Sequence, residues 1–273
     1  MSATAFALIA ALTLVGATIY TKRLAMDFPH HQLIGPLLLL NAALVAPFGA
    51  FVHWHLGWRI LALHAASALA LGIGSYCIFD LFAHGSAAAV AVGTAMTPMP
   101  ALIFSALLLS SPVTGYQAAG AVVVTAGVLL ALAPAFGALS RRRAATMVAI
   151  AATTNGLLIV LTKLLSDRGV TLPEIYVFRT ALAGAAYLAL IPPRGIPITA
   201  YPRLTVRSSL QTAYFVLLIA AVQRGHPATV QTIVSTTPLM LLAWSAFSQR
   251  KRPPLRLVAA AVAVVAGVAL AVT

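Results

Sequence analysis

Carboxylates are nearly missing from this chain: Asp27, Asp80, Asp167 and Glu174 are the only four among 273 residues. There is no HExxH pair and no acidic DxxxD cluster, so the usual carboxylate-based hydrolase and metalloprotease sites are excluded. Cysteine is equally scarce. Cys77 stands alone inside an apolar run, so no intrachain disulfide or multi-thiolate metal site can form. The sequence implies no catalytic residue, no metal and no cofactor. Charged residues of both signs make up only 8% of the chain, too few to cover a soluble globule of this size. The net charge of +13 therefore has no soluble domain on which to build a nucleic-acid face; anionic lipid and insertion topology account for it instead.

What fills the chain is apolar. Hydrophobic residues reach 61% and mean hydropathy is +0.99, the composition of an integral membrane protein. The runs show no period-two alternation of the outer-membrane barrel kind, so the fold class expected is all-α. Ten spans of membrane length can be placed: Thr4 to Tyr20, Leu33 to Phe51, Ile60 to Phe82, Ala87 to Leu109, Gly115 to Leu132, Ala144 to Leu165, Pro173 to Ile191, Leu204 to Val222, Ala228 to Phe247 and Leu255 to Val272. Turn-forming Ser110-Ser111-Pro112, Pro192-Pro193-Arg194-Gly195 and Arg252-Pro253-Pro254 separate some of them. The first span has no basic residues before it, and Lys22 and Arg23 follow it, so it reads as a retained helix rather than a signal peptide.

A pattern is written twice. His84-Gly85-Ser86-Ala87-Ala88-Ala89-Val90 returns 140 positions later as Arg224-Gly225-His226-Pro227-Ala228-Thr229-Val230, Thr97-Pro98 as Thr237-Pro238, and Ala126-Gly127-Val128 as Ala266-Gly267-Val268. Dividing the chain into 1–140 and 141–273 gives five spans per half. An odd number inserts the second half upside down, so two inverted five-helix repeats are expected, with a solute path between them. Connections after odd-numbered spans carry twelve of the Lys and Arg residues, and those after even-numbered spans carry Arg59, Lys163, Arg168 and Arg224. The positive-inside rule then places the odd connections in the cytoplasm and both termini outside.

These features together resemble the ten-helix EamA-type transporters of the drug/metabolite transporter superfamily. The resemblance rests on the small-residue starts at Gly85 and Gly225, Pro98 and Pro238, the Ala-Gly-Val ends, Lys22 and Lys163 closing spans one and six, and Arg179 after Pro173. It departs from the family pattern in span one, which keeps only Gly16, and in Gly35, which stands where the second half has Arg179. The acidic residue that commonly follows spans four and nine is also absent. The resemblance implies cytoplasmic termini, against the charge distribution, which is given more weight here.

Pro98 and Pro238 each remove a helix hydrogen bond, freeing the carbonyls of Thr94 and Val234 for a solute or marking a kink or hinge. Gln231, Ser235 and Pro238 share a face at i, i+4, i+7, where the polar groups suit either a solute or helix-to-helix bonding. Asn155 belongs to a polar patch with Thr153 and Thr154. Arg179 is the deepest basic residue, either functional or paired with Glu174. Tyr76 and Tyr214, with Trp244, offer aromatic surface, while Trp54 and Trp58 read as an interfacial belt. Asp80, with His84 one turn on, reads as the one carboxylate within the membrane, for proton coupling or interfacial capping. The leading expectation is an exporter of a small metabolite, such as an amino acid or drug-like compound, working by alternating access. It would be a monomer in contact with lipid, in a bacterial inner membrane. A lipid-carrier flippase or scaffold subunit of the same fold is the alternative, and an intramembrane enzyme has less support.

Overall fold

The computed structural model describes residues 2–84, 97–110, 113–132, 141–248 and 255–272. Their regular structure is helical throughout: α1 (Ala3–Asp27), α2 (His30–Gly49), α3 (Trp58–His84), α4 (Pro98–Leu108), α5 (Gly115–Leu132), α6 (Arg141–Ser166), α7 (Leu172–Leu190), α8 (Tyr201–Arg224), α9 (Pro227–Val234), α10 (Thr237–Ser248) and α11 (Leu255–Val272). A short 3-10 turn, Ile198–Ala200, leads into α8. Five stretches are long and apolar enough by themselves to cross a bilayer: Ala3–Asp27, His30–Gly49, Trp58–His84, Ala145–Ser166 and Ile198–Arg224.

The helices outrun several of the apolar runs. Hydropathy marks bilayer thickness, whereas a helix stops where backbone chemistry stops it. Ser2 caps α1 by accepting from the Ala5 N–H at 3.2 Å. That helix continues through Lys22 and Arg23 to Asp27, because the next barrier is Pro29, which forces Phe28 into an extended conformation. At the end of α6, Gly169 adopts φ +82° and closes a Schellman motif. Its N–H reaches the Ser166 carbonyl, and the N–H of Val170 reaches that of Leu165. The Val170 side chain then packs in the same apolar cluster as Leu165.

The halves pack by a pseudo-two-fold rule. Exchanging α1 with α6, α2 with α7, α3 with α8 and α5 with α11 maps the main contacts onto themselves: α1 on α8 becomes α6 on α3, and α2–α7 and α5–α11 each map onto themselves. The glycines show the same reciprocity. A Cβ on Gly127 would meet Val264 Cγ2 and the Ala260 carbonyl, while one on Gly267 would meet Val124 Cγ2 and the Gly120 carbonyl, partners offset by 140. On α2 and α7, Gly35 faces Leu188 while Gly184 faces Leu39. In packing, then, Gly35 corresponds to Gly184 and not to Arg179. Small residues let these antiparallel helices approach closely, which is where association energy arises in lipid.

The two crossings should differ in tolerance. Alanine at Gly267 would lie 2.8 Å from the Val124 backbone nitrogen and 2.9 Å from the Gly120 carbonyl, neither of which can swing away. At Gly127 the nearest atoms are 3.1 Å off. Overpacking costs about 1–3 kcal/mol, whereas replacing helical glycine by alanine returns about 1 kcal/mol. Thermal unfolding of the purified protein should therefore show Gly267→Ala clearly destabilised and Gly127→Ala close to wild type.

Successive spans alternate in direction, so one end carries the α1–α2 and α7–α8 connections, the ends of α5 and α10 and the starts of α6 and α11. This basic end holds an Arg203–Asp27 pair and an Arg143–Asp80 pair. The opposite end holds the α2–α3, α6–α7 and α8–α9 connections. Leu12, Leu69, Leu107, Val262 and Val265 are more than half exposed on the outside, an apolar surface for lipid.

Span nine is broken, not kinked. It divides into α9 and α10, separated by Ser235 and Thr236. Pro238 has no N–H to offer the Val234 carbonyl, which instead accepts from the Thr237 hydroxyl at 2.6 Å. In the first half, α4 begins at Pro98, and Ala101 donates to the Thr97 carbonyl.

Candidate functional site

A cavity of about 110 Å³ lies where α1, α2, α3, α6, α8 and α9 converge, so both halves build it. Its apolar walls include Leu14, Leu37, Leu71, Phe79, Phe82, Leu158 and Phe215; its polar groups are Thr18, Thr21, Asn41, Ser75, Thr97, Asn155, Arg207, Gln211, Tyr214 and Gln231. Most of the lining on α1, α2 and α3 comes from the half of each helix nearer the basic end.

Among the described residues, Arg207 is the one charged group on this wall. Its side chain is 93% removed from solvent, with a relative exposure of 7%. Nε donates to the Thr21 hydroxyl at 2.8 Å, and the guanidinium carbon lies 5.6 Å from the Phe79 ring centroid. Thr21 in turn donates to the Ala17 carbonyl at 2.7 Å, which orients its oxygen toward Arg207. Among the described residues no carboxylate lies within ion-pair range of Arg207. The low dielectric that makes burial of such a cation costly would also strengthen its attraction for an incoming anion.

Neutral polar groups complete the wall. Gln211 is one turn beyond Arg207 and Tyr214 a further three residues on, the spacing of a single helix face. The Asn41 amide nitrogen, in the orientation its surroundings require, donates to the Leu37 carbonyl and the Ser208 hydroxyl, each at 3.1 Å. Gln231 Oε1 and Thr97 Oγ1 have no partner among the described residues. Buried polar atoms are normally satisfied, so these two suit a solute or water in the cavity. Gln231→Ala should therefore cut transport severalfold with little loss of stability, measured by solute flux and thermal midpoint; unchanged flux would remove Gln231 from the site.

Of the candidate residues from the sequence, Asn155, Tyr214 and Gln231 lie on this wall. Thr94 falls outside the described residues. Pro98 is buried beside Thr97 at the start of α4, and Ser235 caps the end of α9 by donating its N–H to the Gln231 carbonyl. Pro238 is the second residue of α10, and its side chain lies outside the described residues, whereas Ser235 is not among the lining residues. Tyr76 instead stacks on His31, with ring centroids 4.4 Å apart. Arg179 is buried in the helix interior, donating Nη2 to the Thr162 hydroxyl at 2.6 Å. It does not pair with Glu174, which binds His55 instead. Thr21 and Thr162 match across the repeat, so each half begins with a helix whose threonine receives one buried arginine. Trp58 is exposed as an interfacial residue would be, but Trp54 packs edge-on against Phe178 and donates to the Gly49 carbonyl.

Asp80 is fully buried at the basic end, with Glu174 its counterpart at the opposite end; Asp80 is thus not the only interior carboxylate. Arg143 Nη2 donates to both Asp80 oxygens, at 2.9 and 3.0 Å, and His30, His31 and His84 surround them. Arg143 comes from the second half, so this pair ties the halves together. In the α8–α9 connection, His226 Nδ1 accepts from the Ala228 N–H, capping α9. Burial, with Lys163 nearby, holds that imidazole below its ordinary range, in the unprotonated form such a cap requires.

Family comparison settles the class. The EamA-like transporter family model matches residues 1–133 and again 142–273. The chain belongs to the EamA-like transporter family. It is a multi-pass membrane protein of the drug/metabolite transporter superfamily, a secondary transporter for a small molecule rather than an enzyme. A solved crystal structure 18% identical in sequence aligns over 99% of this chain and 98% of its own, with a TM-score of 0.76, which shows a shared fold. No curated protein matches the chain.

Proposed function

We propose that this EamA-like transporter exports a small solute that joins an anionic group to an apolar body, an amino acid being the simplest example, by alternating access through the cavity between its halves. The observation that carries the reading is Arg207, a buried guanidinium that, among the described residues, has no carboxylate partner and is the only charge on the wall. A solute carboxylate would meet Arg207, Gln211 and Gln231 would meet its polar groups, and Phe79, Phe82 and Phe215 its apolar part. The cavity is somewhat smaller than the roughly 150 Å³ void that holds one benzene, which favours a small solute or one admitted when the halves separate. The two repeats divide near residue 140, and one chain suffices to enclose the path. The basic end faces the cytoplasm of a bacterial inner membrane, as its Lys and Arg residues favour.

The test is flux in proteoliposomes across a panel of amino acids, small monocarboxylates and their neutral amides, with and without a proton gradient. Carboxylates should be carried and their amides carried poorly. Equal transport of both would overturn the anionic assignment while leaving the transporter class intact.

A further inference from the structure

Three potential metal ligands from two different helices converge at the basic end, next to the cavity wall but not part of its lining. The ligand atoms of His30, Asp80 and His84 all lie within 4.8 Å of one another. Measured from Asp80 Oδ1, His84 Nδ1 is 3.2 Å away, His30 Nε2 3.8 Å and His31 Nε2 3.9 Å. In a tetrahedral zinc site with bonds of about 2.0–2.2 Å, neighbouring ligand atoms stand about 3.4 Å apart. The spacings from Asp80 Oδ1 bracket that value, and His30 and His84 lie within 4.8 Å of each other, close enough for side-chain adjustments to bring them round one ion.

We propose that His30, Asp80 and His84 form a binding site for a divalent transition-metal ion of the zinc type, with His31 as the fourth ligand. Imidazole and carboxylate are the donor set such ions prefer. Asp80 is fully buried, and His30 Nε2 is buried with no hydrogen-bond partner among the described residues. The rings are already packed: His30 lies 3.8 Å from His31 between centroids, and His31 is stacked almost parallel on Tyr76. His84 Nδ1 now contacts the Asp80 carbonyl at 3.2 Å and would exchange that contact for the ion.

Arg143 is the competitor, because it already neutralises Asp80. It reaches both carboxylate oxygens through the single nitrogen Nη2, not through a two-nitrogen fork, and its side chain is about half exposed. Moving onto Oδ2 alone frees Oδ1 for the metal and leaves Arg143 as the outer hydrogen bond that ligating carboxylates usually have. The bound ion fixes α2 to α3, and through Arg143 to α6, beside Phe79 and Phe82 of the cavity wall. Metal occupancy therefore holds the basic end closed and slows transport.

The experiment uses the full-length protein, purified without a polyhistidine tag and stripped with chelator, titrated with Co²⁺ and then Zn²⁺. The expected result is one Co²⁺ per chain giving the intense visible bands of four-coordinate cobalt, displaced by Zn²⁺. His30→Ala, His84→Ala and Asp80→Asn should each weaken binding by about tenfold or more, while His53→Ala, at the opposite end, should leave it unchanged. The near-isosteric Asp80→Asn guards against misfolding of the alanine variants. Absence of these bands, or affinities indifferent to all three substitutions, would overturn the site. Unchanged flux with Zn²⁺ bound would overturn the closure.

Discussion

Replacing Arg207 by glutamine is expected to lower transport of a carboxylate solute by about 30-fold or more while leaving thermal stability unchanged or slightly improved. A desolvated charge pair that loses one partner costs about 2–5 kcal/mol, and each 1.4 kcal/mol is tenfold. Stability should move the other way, because the guanidinium is buried with a threonine hydroxyl and a ring face as its partners and no carboxylate, so its desolvation is poorly repaid in the empty protein. Arg207→Lys keeps the charge but loses the planar fork, and should retain part of the flux. A structural role predicts the reverse pattern: a falling midpoint in Arg207→Gln, with flux following it. Flux in proteoliposomes and the unfolding midpoint of the same preparations separate the two. Carboxylate flux undiminished in a stable Arg207→Gln protein would end the anion-site reading.

The sequence already held the register of the repeat, because that register is packing. Gly127 and Gly267 recur at an interval of 140 since each lies close against the backbone of the other's helix, more tightly at Gly267 than at Gly127. The Thr-Pro pairs are legible for a similar reason: proline ends a hydrogen-bond ladder wherever it falls, and threonine can supply the missing donor, as Thr237 does for Val234. Depth was harder to read. Arg207 stands at the end of an apolar run and looks like part of a cytoplasmic connection, but α8 begins at Tyr201 and is wrapped by α1 and α2, so a residue near the helix end lies inside the protein. The signal available was the face Arg207, Gln211 and Tyr214 at i, i+4, i+7. Arg179 and Glu174 share a helix but are five residues apart, a spacing that does not bring side chains together. Their real partners, Thr162 and His55, come from elsewhere in the chain. The same holds for His30 and Asp80, which lie fifty residues apart and meet only because α2 and α3 pack.

Removing Glu174 should give the largest loss of stability among single substitutions at the opposite end, about 2–3 kcal/mol for Glu174→Ala. Its carboxylate is fully buried in the first turn of α7, where the helix dipole favours a negative charge. One oxygen accepts from the His55 backbone N–H at 2.7 Å, the other lies 3.0 Å from His55 Nδ1, and His64 Nε2 is 3.8 Å away. Each buried group left without its hydrogen-bond partner costs about 1–3 kcal/mol, and the total stays modest because the His55 side chain is about one-third exposed. Glutamine can still accept from the His55 N–H, so Glu174→Gln should cost less, about 1 kcal/mol. Trp54 supplies a local reporter: it precedes His55 and rests edge-on against Phe178, on whose ring His64 also stacks. With Trp58 and Trp244 replaced by phenylalanine, its emission should shift to the red in Glu174→Ala as the α2–α3 connection comes away from α7. An unmoved midpoint together with unmoved emission would mean that this connection is held by its apolar contacts alone, and that the buried carboxylate does not fasten the first half to the second.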